Sequence, residues 1–322
     1  MKLPNLKVAI LLATYNGERF IEQQVKSLRA NSTSFTLYWL DDHSTDATRE
    51  AVHAASIGMG IMLKECHQSQ RQGVPGSFFT LLECVEADIY LFCDQDDVWQ
   101  PGKIDATVQT LLPDLAKPAM CFSDPLAFRD SEPDVHYHML DLIGTTAEIA
   151  LQESKVFLAV VGYGHTVGFT RPMREIFVTH KDIARTHAFM HDLWMYNIAV
   201  ASGTVRMLAD APTTLFRRHA LSASGGIAGW RGSGMGRITI TWDQHMRLRR
   251  CISRHAAGFI LASPTLPQGP KLERLLAIAE LVSTLDRRQS PLALIRLVRR
   301  GIVWPNWRLA TGLAVTCLCS AA

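Results

Sequence analysis

Three carboxylates within four positions, Asp94, Asp96 and Asp97, close the stretch Phe92 to Asp97 of FCDQDDVW, directly after an apolar run. Like charges this close repel one another, so the spacing is costly unless something positive is held there. A divalent cation bridging to a diphosphate removes that penalty. Mg²⁺ or Mn²⁺ takes oxygen ligands of this kind and leaves positions for water or substrate oxygens. Asp94 and Asp96 are the natural pair, with Asp97 a third ligand or an outer residue that orients them. The plainer alternative is an acidic turn open to water. Histidine sites are less persuasive: His187 and His191, four apart, could share a helical face, but no glutamate completes an HExxH pattern. His136 and His138 read as a chance pair or loop residues, and seven cysteines without CxxC spacing disfavour zinc or disulfide frameworks and suit a reduced, cytosolic setting.

The elements that must carry these groups follow from periodicity. Lys7 to Ala13 (KVAILLA) is a nearly continuous apolar run ending in TYNG, the pattern of a buried parallel strand and a turn. Ile21, Val25 and Leu28 then recur on one helical face. Leu37 to Leu40 predicts a second strand that breaks into Asp41 and Asp42, with Ser44 placed to cap a helix through Thr48 and Val52. Ile61 to Lys64 is a third strand, Ser77 to Glu86 a helix, and Ile89 to Cys93 the clearest buried strand of all. Strand and helix in alternation predict an α/β fold with a mainly parallel sheet flanked by helices, whose ligands collect beyond the carboxyl ends of the strands. Further strands are expected at Ala119 to Ser123, His165 to Thr170, Thr204 to Leu208 and Thr213 to Phe216.

These motifs together resemble the family 2 glycosyltransferases of the GT-A nucleotide-diphospho-sugar transferase fold, over roughly the first 220 residues. VAILLATYNGERFIEQQVKSL resembles the family's opening strand, nucleotide-binding turn and helix. LDDHSTDAT is similar to its second-strand motif, with His43 where glycine is usual. FCDQDDVW matches the form found in bacterial surface-polysaccharide enzymes, including rhamnosyltransferase-like members. The resemblance implies that Thr14, Tyr15 and Glu18 surround the nucleotide, that Asp41 or Asp42 hydrogen-bonds the base, and that Arg71 and Asp94 approach the diphosphate. HDLW resembles the place of the catalytic aspartate, which makes Asp192 the expected general base. FRRHALSAS resembles the later segment that puts His219, with Arg218, at the diphosphate, and VGYGHTVGFTR resembles an acceptor-side segment. Each role has a bland counterpart: Tyr15 as a core lid, Arg71 as a surface charge, Asp192 as a residue favoured at a helix start.

Charge divides the chain. Residues 1 to 216 hold 17 Lys+Arg against 26 Asp+Glu, and the remainder 16 against 4, so the first part is near −9 and the second near +12. Division into a catalytic domain, 1–220, and a glycine-rich loop with basic helices, 221–322, is expected. Gly225 to Gly236 is the loop, Leu272, Leu275, Leu276, Ala279 and Val282 form a helical stripe, and Arg296, Arg299 and Arg300 lie among apolar residues near Trp304 and Trp307. Such helices suit either an anionic bilayer surface or a cap on the catalytic domain. No apolar run reaches the ~18 residues of a membrane span, and Leu309 to Cys319 is too short.

The resulting expectation is an inverting, metal-dependent hexosyl or deoxyhexosyl transferase in bacterial surface-glycan assembly: O-antigen, capsule or exopolysaccharide. It would use a UDP- or dTDP-sugar and a glycan or lipid-linked acceptor at the inner face of the cytoplasmic membrane, with no nucleic acid as partner. Two competitors stand beside it: a noncatalytic nucleotide-sugar or polysaccharide-binding protein, and a sugar nucleotidyltransferase. The latter needs a glycine- and lysine-rich triphosphate loop that TYNGERF lacks.

Overall fold

The computed structural model describes residues 6–143, 146–152, 157, 162–208, 214–219 and 242–286. The first half alternates as the periodicity predicts: β1 Val8–Thr14, α1 Ile21–Ser27, β2 Thr36–Asp41, α2 Thr48–Gly58, β3 Leu63–Cys66, α3 Gly73–Cys84 and β4 Ile89–Cys93. There follow β5 Val98–Trp99, α4 Lys103–Leu111, β6 Ala119–Ser123, β7 Leu126–Arg129, β8 Glu132–His138, and the short helices α5 Met139–Ile143 and α6 Ala147–Ala150. Then come β9 Gly168–Thr170, α7 Arg171–Thr179, α8 Lys181–His187, α9 His191–Ser202, β10 Thr204–Leu208, β11 Thr214–Arg217, α10 Trp242–Ala262 and α11 Pro270–Ser283.

Seven strands form one sheet in the order β10-β6-β9-β4-β1-β2-β3. All neighbours are parallel except β9, which runs antiparallel to both β4 and β6. Strand β1 is apolar throughout because both sheet faces are covered. Its alternate residues divide between them, Val8, Ile10 and Leu12 facing α1, α2 and α4, Ala9 and Leu11 facing α3, α7 and α9. From β1 the order runs outward through β2 and β3 on one side and to β4 on the other. The strand order therefore reverses at the β1/β4 boundary, where open α/β sheets leave a crevice at their carboxyl ends.

Several expectations change. The helix expected to start at Ser44 starts at Thr48, because the Asp46 carboxylate accepts from both the backbone and the hydroxyl of Thr48, while Ser44 turns back to Asp41. The strand expected over 165–170 shrinks to β9, preceded by a tight turn at Gly164–Thr166. A second sheet, β5-β11-β7-β8, was not read from the sequence beyond the strand expected at Thr213 to Phe216, which is β11; β5 and β7 are short, β8 is largely exposed and polar, and the sheet puts His136 and His138 on β8. His187 ends α8 and His191 begins α9, so the two share no helical face.

Helices α10 and α11 belong to the largest apolar core. Leu272, Leu275, Ala279 and Val282 are buried with Ile252, Ala256 and Phe259, in the same cluster as Ala9, Leu11 and Trp194. The Leu272 stripe thus covers the catalytic sheet's flank. Gly225 to Gly236 and the segment carrying Arg296 to Cys319 lie outside the described residues. Among the described residues no helix is long and apolar enough to cross a membrane.

Candidate active site

The turn after β1 is laced to its neighbours on both sides. Toward β2, the Asn16 N–H donates to Ser44 Oγ (2.9 Å), Thr45 N–H to Asn16 Oδ1 (2.8 Å) and Gly17 N–H to Thr48 Oγ1 (2.7 Å). Glu18 joins this lacing, its Oε2 accepting from the Ala47 N–H at 2.8 Å, and it does not line the cavity described below. Toward β4, the Gln95 side chain accepts from Tyr15 N–H (2.8 Å) and donates to the Tyr15 carbonyl (3.0 Å).

The two aspartates after β2 divide their labour. Asp41 accepts from the Thr14 hydroxyl at 3.0 Å and from the Ser44 N–H and hydroxyl at 3.0 and 2.6 Å, so it shapes the loop. Asp42 faces the cavity and gathers the loop before α3, accepting from Gln68 Nε2 and from the Gln72 and Gly73 N–H groups, both at 2.8 Å. Arg71 stands 3.9 Å from Asp42 and spreads over the Tyr15 ring, 3.7 Å from its centroid. His43 adopts φ +64°, the left-handed conformation that explains why glycine suits this position.

The acidic turn is sorted by burial. Asp94 and Asp96 line the cavity, whereas Asp97 is fully buried behind them and accepts from the Arg217 N–H at 3.0 Å. His165, from the turn before β9, inserts its Nδ1 3.5 Å from Asp94 and 3.3 Å from Asp97. Burial alone would lower this histidine, but the Asp97 and Asp94 charges outweigh it and hold His165 above its ordinary value. Burial pushes Asp97 up to about 7 in spite of His165, and burial also brings the Lys103 ammonium beneath the turn down to about 7. Asp94, by contrast, is held below the usual carboxylate range: burial opposes this, and hydrogen bonding and charge from His165 prevail. Asp96 pairs instead with His219, Nε2 to Oδ2 at 2.7 Å. Among the described residues one group has its donor atoms close enough for a cation, Asp94, Asp97 and His165, all within 4.8 Å. The three aspartates expected together are therefore split, two toward the cavity and one toward the interior.

The opposite wall comes from the start of α9. Asp192 Oδ2 accepts from the Gly164 N–H at 2.9 Å and Oδ1 from the Leu193 N–H at 2.7 Å, at a helix N-terminus whose dipole favours a carboxylate. Beside it His191 stacks on Phe78, ring centroids 4.0 Å apart, and burial keeps it below its ordinary value despite the Asp192 charge.

These walls enclose one cavity of about 370 Å³, large enough for a nucleotide-sized ligand. Of the residues singled out from the sequence, Thr14, Tyr15, Asp42, Arg71, Asp94, Asp96 and Asp192 line it; Glu18, Asp41 and Asp97 stand behind it, and His219 touches it through Asp96. Three contributors were not singled out. Gln95 hid inside the acidic motif, His165 inside an acceptor-side segment, and Arg217 beside Arg218. Arg217 donates to the Asp96 carbonyl (2.9 Å) and to Gln23, and pairs with Asp130, so it fixes the acidic turn to α1 and to the β7–β8 hairpin. No local pattern separates these three from ordinary polar residues, because their roles depend on contacts between segments far apart in the chain.

Comparisons with known proteins bear on the fold that carries this cavity. Residues 9–121 match the family model described as Glycosyl transferase family 2. The dTDP-rhamnosyl transferase RfbG of Shigella flexneri is 24% identical over 218 residues, 65% of this chain and 71% of that protein. Among solved structures, S. aureus TarS 1-349 in complex with UDP-GlcNAc is similar with a TM-score of 0.57 and 12% identity, covering 98% of this chain and 89% of that one. The mannosyltransferase PcManGT from Pyrobaculum calidifontis, in complex with GDP-Man and Mn2+, is similar with a TM-score of 0.58 and 16% identity over 98% and 86% of the two chains. At such identities the structures speak for the fold, which is the GT-A fold.

Proposed function

We propose, on the premise that the chain belongs to glycosyl transferase family 2, that it moves a sugar from a nucleoside diphosphate to an acceptor hydroxyl with inversion at the anomeric carbon. One observation carries the reading: a single cavity is lined by a base platform (Tyr15, Arg71, Asp42), by the acidic pair Asp94 and Asp96, and by Asp192 across from them. An aspartate at a strand end can accept from a pyrimidine N–H, and a guanidinium suits a flat ring or a phosphate.

Asp192 takes the proton of the acceptor hydroxyl as its oxygen forms a bond to the anomeric carbon; the bond from that carbon to the diphosphate breaks, and its electron pair leaves with the diphosphate. One direct displacement of this kind inverts the centre. The hydrogen bond from the Gly164 N–H to Oδ2 orients the carboxylate and leaves Asp192 at the cavity wall. Asp94, Asp97 and His165 offer two carboxylates and an imidazole within 4.8 Å, and Asp96, held by His219, faces the same cavity; Mg²⁺ or Mn²⁺ would take Asp94 and Asp96 as its cavity-facing ligands, with Asp97 and His165 behind them. When bound, such an ion supplies charge stabilisation for the departing diphosphate.

The Shigella relative is a dTDP-rhamnosyl transferase, which supports a dTDP- or UDP-deoxyhexose as donor and a surface glycan or its lipid-linked precursor as acceptor. The shared core supports a helical cap over 242–286 on a catalytic unit of residues 1–220, and the basic residues beyond 286 suit contact with the inner membrane face. The test is transfer from a panel of UDP-, dTDP- and GDP-sugars with Mn²⁺, using Asp96→Ala and Asp192→Asn. Metal-dependent turnover lost in both variants supports the reading. Sugar binding without turnover, unchanged by Asp192→Asn, would overturn it in favour of a binding protein.

A further inference from the structure

Gln95 occupies the centre of the acidic turn, yet its side chain leaves that turn and crosses to the neighbouring strand. Strands β1 and β4 pair with Leu12 opposite Cys93, so Tyr15 and Gln95 emerge side by side from the two strand ends. The amide uses both of its functions there, Oε1 accepting from the Tyr15 N–H at 2.8 Å and Nε2 donating to the Tyr15 carbonyl at 3.0 Å. A second observation points the same way. A Cβ on Gly17 would lie 2.3 Å from Gln95 Oε1 and 2.6 Å from its Cδ, so the residue at 17 is kept small to admit the amide. The Tyr15 ring fixed in this way is the one that Arg71 covers at 3.7 Å, in the wall that also holds Asp42.

We propose that Gln95 is a positioning residue for nucleoside binding: its amide clamps the Tyr15 backbone, sets the ring that carries the base, and ties that platform to the turn that faces the diphosphate. The inference rests on the nucleoside-diphosphate reading above. Only a group with one donor and one acceptor at this spacing satisfies both Tyr15 backbone atoms. A carboxylate has two acceptors and would face the Tyr15 carbonyl with a lone pair, whereas a protonated carboxyl donates to the carbonyl and accepts from the N–H. Leucine pairs with neither.

The test is calorimetric titration of the full chain with UDP and with dTDP, Mn²⁺ present, at pH 8, for the wild type, Gln95→Leu, Gln95→Glu and Gly17→Ala, each checked by thermal melting. All three variants should bind about tenfold more weakly than wild type, the loss expected when a paired backbone group is left unsatisfied. In donor kinetics KM should rise more than kcat falls. Wild-type affinity in Gln95→Leu, or a loss confined to kcat at unchanged KM, overturns the clamp. Failure of the wild type itself to bind UDP or dTDP overturns the nucleoside reading and the clamp with it.

Discussion

A side chain at positive φ shows what single residues contribute here. His43 is exposed at φ +64°, a conformation that costs an ordinary residue about 1–2 kcal/mol, partly regained against glycine through glycine's larger unfolded-state entropy. His43→Gly should therefore stabilise the chain by up to about 1 kcal/mol in urea unfolding. Asn16 has a similar φ of +47°, but its side chain accepts from the Thr45 N–H, so Asn16→Gly should destabilise in the same assay. For the chemistry, Asp192→Asn keeps one oxygen for the Gly164 or the Leu193 N–H, sets its NH₂ against the other, and loses the proton acceptor. Its kcat should fall by ~10²–10⁴ while UDP or dTDP affinity by calorimetry stays unchanged.

At the level of elements, legibility followed sequence distance. Strands β4 and β6 lie on their apolar runs, and the acidic turn is where the chain leaves β4, because a strand buried along its whole length declares itself by composition alone. Of the cavity-facing members, Asp94 and Asp96 were readable from the acidic spacing after that strand, and Tyr15 and Asp42 from the family resemblance of the segments that hold them. What escaped was set by tertiary contact. β9 has three residues and is held by ladders on both sides, and the turn before it brings His165 to Asp94 and Asp97 from about seventy residues away. Close approach explains Gly203 too. At the junction of α9 and β10 a Cβ there would sit 2.0 Å from the Pro118 carbonyl oxygen, and backbone cannot yield as a side-chain tip can. Gly203→Ala should lower stability by roughly 1–3 kcal/mol, the usual range for overpacking, read as a lower urea midpoint at unchanged slope.

Across the molecule, the helical cap buries a histidine whose contribution to stability depends on pH. His255 on α10 is buried against Trp194 of α9, ring centroids 5.3 Å apart, and accepts from the Phe189 N–H at 3.1 Å; burial, with nearby Arg254 adding to it, brings it down to about 3. His180 also packs on Trp194, ring centroids 5.7 Å apart, and is lowered by burial to about 4. Both folded-state values lie below the ordinary 6.5, so the unfolded chain takes up protons first as the pH drops. The contribution of these two histidines should be fully present above pH 6.5 and decline below it, by roughly 2 kcal/mol from His255 between pH 6.5 and 5, while the raised Asp97 acts in the opposite sense over the same range. Urea unfolding of the wild type and of His255→Gln, which retains an acceptor for Phe189, isolates it: the stability difference between the two should shift against the wild type by that amount on going from pH 6.5 to 5.

The reversed strand β9 also bears on how such an enzyme diversifies. Chain leaving β1, β2 and β4 spills into the rim, so extra residues inserted there would carry the reacting groups off their frame. Chain reaching β9 enters the rim first and is anchored afterward, with Gly164 holding Asp192 and His165 holding the acidic turn. Length added upstream of residue 162 is therefore absorbed before the anchor, and each doubling of a loop costs only about 0.6 kcal/mol. An insertion accepted there would leave the contacts of Gly164 with Asp192 and of His165 with the acidic turn where they are.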